Sequence, residues 1–152
     1  MGNAVGPMSH ETISLTTYVS IHAPAREVWD VLVTPARWWD GVTFTPAVGS
    51  RFRETWTEDG VSKSAFGIVL AVSAPATLAL RWKERDWPDQ MTVTILLQES
   101  RDRTDVVLTE SGWEMFPPSR RKSLMDAHRR GWSDHLADLK EAVEESLVAA
   151  SR

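Results

Sequence analysis

The sequence predicts an α+β fold in which one long C-terminal helix lies across the concave face of an antiparallel sheet. Three observations predict it. From Ser50 to Ser111 the apolar residues recur mainly with a period of two, broken by short polar turns, which is the pattern of strands in meander order. From about Ser119 to Ala149 there is no proline and the apolar residues fall at helical spacing, so one helix of roughly 30 residues, about 45 Å long, is expected. Between the first strand and the meander there is room only for two short helices.

Element by element, Ile13, Leu15, Thr17, Val19 and Ile21 alternate with Ser14, Thr16, Tyr18, Ser20 and His22, which reads as a half-buried first strand. Pro24 suits the first position of a helix, and Ala25, Val28, Trp29 and Leu32 then recur on one face of it. Thr34-Pro35 restarts the pattern as a cap residue and a first-turn proline, and Asp40-Gly41 ends that turn. Phe52, Glu54 and Trp56 share one face of the next strand, closed by the Glu58-Asp59-Gly60 turn. Four further strands follow, over 65–72, 78–82, 91–98 and 104–111, with a polar hairpin loop at 99–103. The last helix carries Leu124, Ala127, His128, Gly131, Trp132, His135, Leu136, Leu139, Val143 and Leu147 on its inward stripe, and such a helix must be covered by the sheet.

A chain of 152 residues buries roughly 68–70% of its unfolded surface on folding and needs no disulfide or metal staple. The absence of cysteine excludes zinc ribbons, iron–sulfur sites and thiol nucleophiles. No run approaches the ~20 apolar residues of a membrane span, and Met1 to Pro7 lacks the charged and apolar regions of a secretory signal. A cytoplasmic protein is expected, with residues 1–10 as a flexible leader and 11–149 as one domain. The net charge of −4 gives no broad positive field, so nucleic acid is not an expected partner. Both a monomer and a homodimer are compatible with this pattern.

The string Ile21-His22-Ala23-Pro24-Ala25-Arg26-Glu27-Val28-Trp29-Asp30-Val31-Leu32, followed by Pro35 and Trp38-Trp39, resembles the opening of the helix-grip ligand-binding superfamily, which includes START and birch-pollen-allergen-like (SRPBCC) domains. Within it, the chain is most similar to the branch named after the activator of the Hsp90 ATPase. Gly67-Ile68-Val69, Pro75, Leu78-Ala79-Leu80-Arg81-Trp82, the 104–112 strand and Gly131-Trp132-Ser133-Asp134-His135-Leu136 add to the likeness, which spans about 11–147. The resemblance implies a helix-grip fold, with a sheet of six to seven strands curled around the long helix and a cavity between them. Members carry lipids, hormones or polyketides, some are cyclases or aromatases, and some assist chaperones; fold alone does not choose among these.

Candidate chemistry lies in phase with the inward apolar residues. Glu54 sits between Phe52 and Trp56, and Glu110 continues the Val106 and Leu108 face, so two carboxyls are expected to enter the cavity. A buried carboxyl must be paired, or neutral with a raised pKa. His128 on the last helix is the natural partner for either. A structural ion pair, or a twist that turns one glutamate to the rim, would give the same pattern without function. Trp56, Trp82, Trp113 and Trp132 are predicted on or near the cavity, with Trp38 and Trp39 near its mouth and Trp87 in a loop. The same spacing also suits a plain aromatic core, to which Trp29 is assigned outright. Gly131, unfavourable inside a helix by about 1 kcal/mol, either admits close packing or leaves room beside Trp132. The 113–118 segment reads as a lid, a docking loop or a cap on the helix, and the basic residues Arg120, Arg121, Lys122, Arg129 and Arg130 as a solvated helix face.

Phosphate-loop, zinc-protease and serine-elbow motifs are absent, His128 and His135 are two turns apart, and each lysine reads as outward or in a loop. No cofactor is expected. The leading expectation is a binding domain for a small hydrophobic, ring-bearing ligand, with Phe52, Trp56, Trp82, Trp113 and Trp132 as walls and Glu54, Glu110 and His128 as polar anchors. Its alternatives are a cyclase or dehydratase-type enzyme using a Glu/His pair, and a chaperone-assisting module that meets a protein partner through the 113–118 loop.

Overall fold

The computed structural model describes residues 12–151; the leader expected at 1–10 lies outside the described residues. The chain runs through β1 (Ser14–Ile21), α1 (Ala25–Leu32), a 3₁₀ turn (Pro35–Arg37), β2 (Val42–Thr43), β3 (Arg51–Glu58), β4 (Val61–Ser73), β5 (Thr77–Glu84), β6 (Met91–Ser100) and β7 (Arg103–Ser111). A second 3₁₀ turn (Trp113–Met115) then leads into α2 (Pro118–Ala150). The strands form one antiparallel sheet in the order β1-β7-β6-β5-β4-β3-β2, a curved helix-grip sheet with α2 on its inner face.

The alternation read from the sequence is kept in β1, where Leu15 and Ile21 are buried and Tyr18 is 71% exposed. Ala25, Val28, Trp29, Val31 and Leu32 form the buried face of α1. Pro24 takes the cap position rather than the first helical one, with extended backbone at φ −66° and ψ 155°. The freed Ala25 N–H donates to Glu99 Oε1 at 2.6 Å, so an acid delivered by the end of β6 satisfies the positive end of α1. Thr34 makes no side-chain cap; its hydroxyl turns back to the Asp30 carbonyl at 2.8 Å.

One strand was not anticipated. β2 has only two residues, too few to show a period, and pairs Val42 with Glu54 and Thr43 with Arg53. It is possible because Gly41, at φ +81°, lies against β3; a Cβ there would sit 2.2 Å from the Thr55 carbonyl oxygen. This close turn also drops Trp39, 2% exposed, onto the inner face. A second close approach occurs at Gly67 in β4, where a Cβ would meet the Arg81 carbonyl oxygen of β5 at 1.7 Å. The hairpin at 99–103 is tighter than expected, with strands reaching Ser100 and Arg103 and Arg101 at φ +54°.

α2 extends by a residue at each end beyond the sequence reading and buries Trp132, Leu136, Leu139 and Val143. The 113–118 segment, for which the sequence leaves a lid, a docking loop and a cap open, is a packed cap: Trp113 is 0% and Phe116 2% exposed. Arg121 donates from Nε to the Trp113 carbonyl and from Nη2 to that of Phe116, at 3.2 and 3.0 Å, tying the cap to the first turn of the helix. Of the basic cluster, Lys122 and Arg129 flank Asp126 at 3.3 and 3.1 Å on the solvated side.

Candidate functional site

Strand parity places the candidate carboxyls. In β3, Phe52, Glu54 and Trp56 point inward while Arg51, Arg53 and Thr55 point out; in β7, Val106, Leu108 and Glu110 are all buried. Across from them α2 supplies His128, Gly131, Trp132 and His135, which recur at three- and four-residue spacing on one face.

A pocket of about 150 Å³ lies between the sheet and α2, lined by Trp39, Glu54, Trp82, Ala127, His128, Gly131, Trp132 and His135. Four of the eight residues expected at the site therefore surround one cavity: Glu54, Trp82, His128 and Trp132. Glu110 lies behind it, fully buried, and its Oε1 accepts hydrogen bonds from His128 Nδ1 and Trp132 Nε1, both at 3.0 Å. Phe52 is buried against Trp39 and Trp82, with ring centroids 5.5 and 6.3 Å away. Trp113 is wholly buried, donates to the Glu110 carbonyl at 3.1 Å and packs edge-on to His128 at 4.9 Å. Trp56 is half-buried at the margin of the core. Phe52 and Trp113 back the pocket walls rather than line them, and Trp56 is not among the lining residues.

The sequence reading left out Trp39, Ala127 and His135 as lining residues. The sequence sets Trp39 only near the cavity mouth, because a residue after a short turn has no period to orient it; the Gly41 turn is the missing signal. His135 is seven residues from His128 on the same stripe, and that stripe was legible. Gly131 resolves in favour of space: a Cβ added there would meet nothing within 4 Å.

The electrostatics follow from burial. Desolvation pushes the Glu54 carboxyl up to about 7, helped by Glu84 and Glu110 and opposed by the Trp39 indole N–H and by His128. Glu84, on the inner side of β5, is likewise raised, first by desolvation. For His128 desolvation acts downward, yet the hydrogen bond and charge of Glu110, with Glu84 and Glu54 beyond, leave it above the usual imidazole range. Burial holds His135 below that range. Two polar atoms at this centre, Trp82 Nε1 and Glu110 Oε2, are buried with no hydrogen-bond partner among the described residues, and Trp39 Nε1 acts on Glu54 without closing a hydrogen bond of normal geometry. Such atoms are uncommon in folded proteins because each costs about 1–3 kcal/mol. Among the described residues no group of three or more His, Asp or Glu is placed to hold a metal ion, and no helix is long and apolar enough to cross a membrane.

The arrangement thus combines flat apolar walls, an imidazole held by a buried carboxylate, and a second carboxyl that exchanges its proton near neutrality. The chain belongs to the family described as activator of Hsp90 ATPase homolog 1-like proteins, whose pattern matches residues 22–144. Its fold is similar to that of MLL2253 from Mesorhizobium loti, at 24% identity and TM-score 0.70, covering 88% of this chain and 98% of that one. It is also similar to DynU16, a protein of the dynemicin biosynthetic locus, at 23% identity and TM-score 0.70, over 86% of this chain but only 47% of DynU16; the chain spans about half that protein's length. The dimeric Aha1 of Colwellia psychrerythraea matches at 18% identity and TM-score 0.68, over 87% and 96% of the two chains. At these identities the likeness is one of fold. No curated protein sequence matches the chain.

Proposed function

We propose that this family member binds a small, ring-bearing hydrophobic molecule in the pocket between sheet and α2, with Trp39, Trp82 and Trp132 as walls and Glu54 and His128 as polar anchors. The observation that carries this reading is the pocket itself: a cavity built from three indoles, with a carboxyl held near 7 in its wall and buried polar atoms short of partners around it. Its volume of about 150 Å³ selects the ligand's size, since a cavity of that volume takes about one benzene ring, whereas drug-sized ligands use roughly 300 Å³ or more. Lipids and polycyclic molecules are therefore poor candidates. The origin of DynU16 in a biosynthetic locus is consistent with a small-molecule role in this fold.

An acid–base enzyme is the second reading, favoured by one observation: Glu54 titrates near the pH at which a general acid or base is most effective, and it shares the pocket with His128. The protein-docking reading loses the surface it relied on, because the 113–118 cap is packed.

The test uses Gly131. A Cβ there meets nothing within 4 Å, and Gly131 lines the pocket, so a leucine side chain at this position is directed into the pocket volume. Native mass spectrometry of the freshly purified protein, and tryptophan fluorescence on titration with benzyl alcohol, are expected to show binding in the wild type and none in folded Gly131→Leu. Equal binding by both proteins, or none by the wild type, would overturn the reading.

A further inference from the structure

We propose that the molecule this pocket selects is a protonated amine on a small apolar body, with its ammonium group against the Glu54 carboxyl and its carbon skeleton against Trp39, Trp82 and Trp132. The inference rests on the pocket reading above and adds the ligand's charge.

The charges around the pocket decide it. The imidazole of His128 on α2 is matched, being hydrogen-bonded to Glu110 of β7 at 3.0 Å. His135, the other basic group on that face of α2, is held toward its neutral form by burial. Lys63 of β4, the lysine whose charge acts on Glu84, is engaged by Glu58 at 2.9 Å. β2 brings no charged side chain against Glu54, only Val42 and Thr43. What remains is Glu54 on β3, with Glu84 on β5 nearby, and among the described residues neither has an ion-pair partner within 4.0 Å. A desolvated carboxyl without a cation is a costly group, and an organic ammonium is the ligand class that removes the cost. An anionic ligand would raise it further.

The walls agree with that sign. Tryptophan presents the most favourable aromatic face to a cation. Trp132 stands at 65° to Trp39 and 72° to Trp82, with centroids 5.4 and 6.3 Å apart, so the three indoles make the sides of a box and not a stack. The Trp39 N–H stabilises the charged form of Glu54, the form an ammonium needs.

Proton balance follows. Below about pH 7 the Glu54 carboxyl is largely protonated, so an incoming ammonium displaces its proton to solvent; above that pH the proton has already gone. Affinity is expected to fall about tenfold for each pH unit below 7 and to level off above it. Glu84, Glu110 and His128 act on the same site and broaden the transition.

The experiment is isothermal titration calorimetry with benzylamine, benzyl alcohol and benzoate, at pH 6 and pH 8, in two buffers of different protonation enthalpy. Benzylamine is expected to bind most tightly, to release close to one proton at pH 6 and almost none at pH 8, and to weaken at least about tenfold at pH 8 in Glu54→Gln, with a clearly smaller loss for benzyl alcohol, which the neutral amide still hydrogen-bonds. Benzyl alcohol binding as well as benzylamine, or no proton release at pH 6, overturns the amine assignment and leaves the pocket reading standing. The proton measurement is made on the wild type and does not depend on the variant's folding. Failure of all three compounds to bind overturns the pocket reading itself.

Discussion

The two faces of the same three strands differ in charge, shape and energetic meaning. On the convex side, Arg51 and Arg53 of β3 and Arg81 and Lys83 of β5 flank Phe66 and Ile68 of β4 along an open groove of about 840 Å³. On the concave side, β3 and β5 present Glu54, Trp82 and Glu84 toward a pocket less than a fifth of that size. Among the described residues none of the four convex cations makes an ion pair. None is needed, since exposed arginine and lysine are solvated whether or not a partner is present. The concave carboxyls have lost that water, and their protonation shifts record it. The larger cavity is therefore the solvated one, and the smaller holds the desolvated charge.

That contrast can be broken at its seam or sharpened on either side. The largest effect is expected at Gly67, where β4 crosses closest to β5: Gly67→Ala places a methyl group 1.7 Å from a backbone oxygen, and a loss of about 3 kcal/mol or more is expected in urea unfolding. On the concave side, Glu110→Ala strips a fully buried acceptor from both His128 and Trp132 and is expected to cost about 3 kcal/mol by the same measurement. The pH dependence comes next. Glu54 binds its proton more tightly in the folded state, at about 7 against 4.5, so its stabilisation is complete below pH 4.5 and is lost as pH rises through 7. At about 1.36 kcal/mol per pH unit the loss is at most about 3 kcal/mol. His128, also raised, adds a loss of the same sign above the ordinary imidazole range. Denaturation midpoints are expected to fall from pH 5 to pH 8 in the wild type and to fall less in Glu54→Gln; equal slopes would refute the assignment. Gly131→Ala is expected to raise stability by about 1 kcal/mol through helix propensity alone, because its methyl group meets open space. On the convex side, Arg81→Ala is expected to change stability by no more than about 0.5 kcal/mol, the response of a solvated residue.

The framework and half of the pocket were legible in the sequence because both are written in periods. Alternation placed Glu54 and Trp82 inward, and helical spacing placed His128 and Trp132 opposite them. Wherever the period was too short, reading failed: the dipeptide β2 left no pattern, and with it went the position of Trp39. The 113–118 segment stayed open between lid, docking loop and cap for another reason. Trp113 and Phe116 follow no regular element, so nothing local tells that Arg121, five and eight residues on, draws their carbonyls against the helix. Gly131 was ambiguous because an absent side chain is silent about whether a neighbour or a void takes its place; only the distance to the next atom decides.

The register of β1 carries a kinetic consequence. β3 to β7 are joined in succession by short turns, whereas β1 pairs with β7, Ser14 against Ser111, closing a loop of about 90 residues. Local hairpins close early and such a loop closes late, so β1 must wait for the meander. α2 packs on β1 and α1, and it supplies five of the eight residues that line the pocket. The pocket is on this topology expected to be the last part of the molecule to assemble and the first to open. Native-state hydrogen exchange should show β1 and α2 exchanging together, ahead of the β4 to β6 strands at the centre of the sheet.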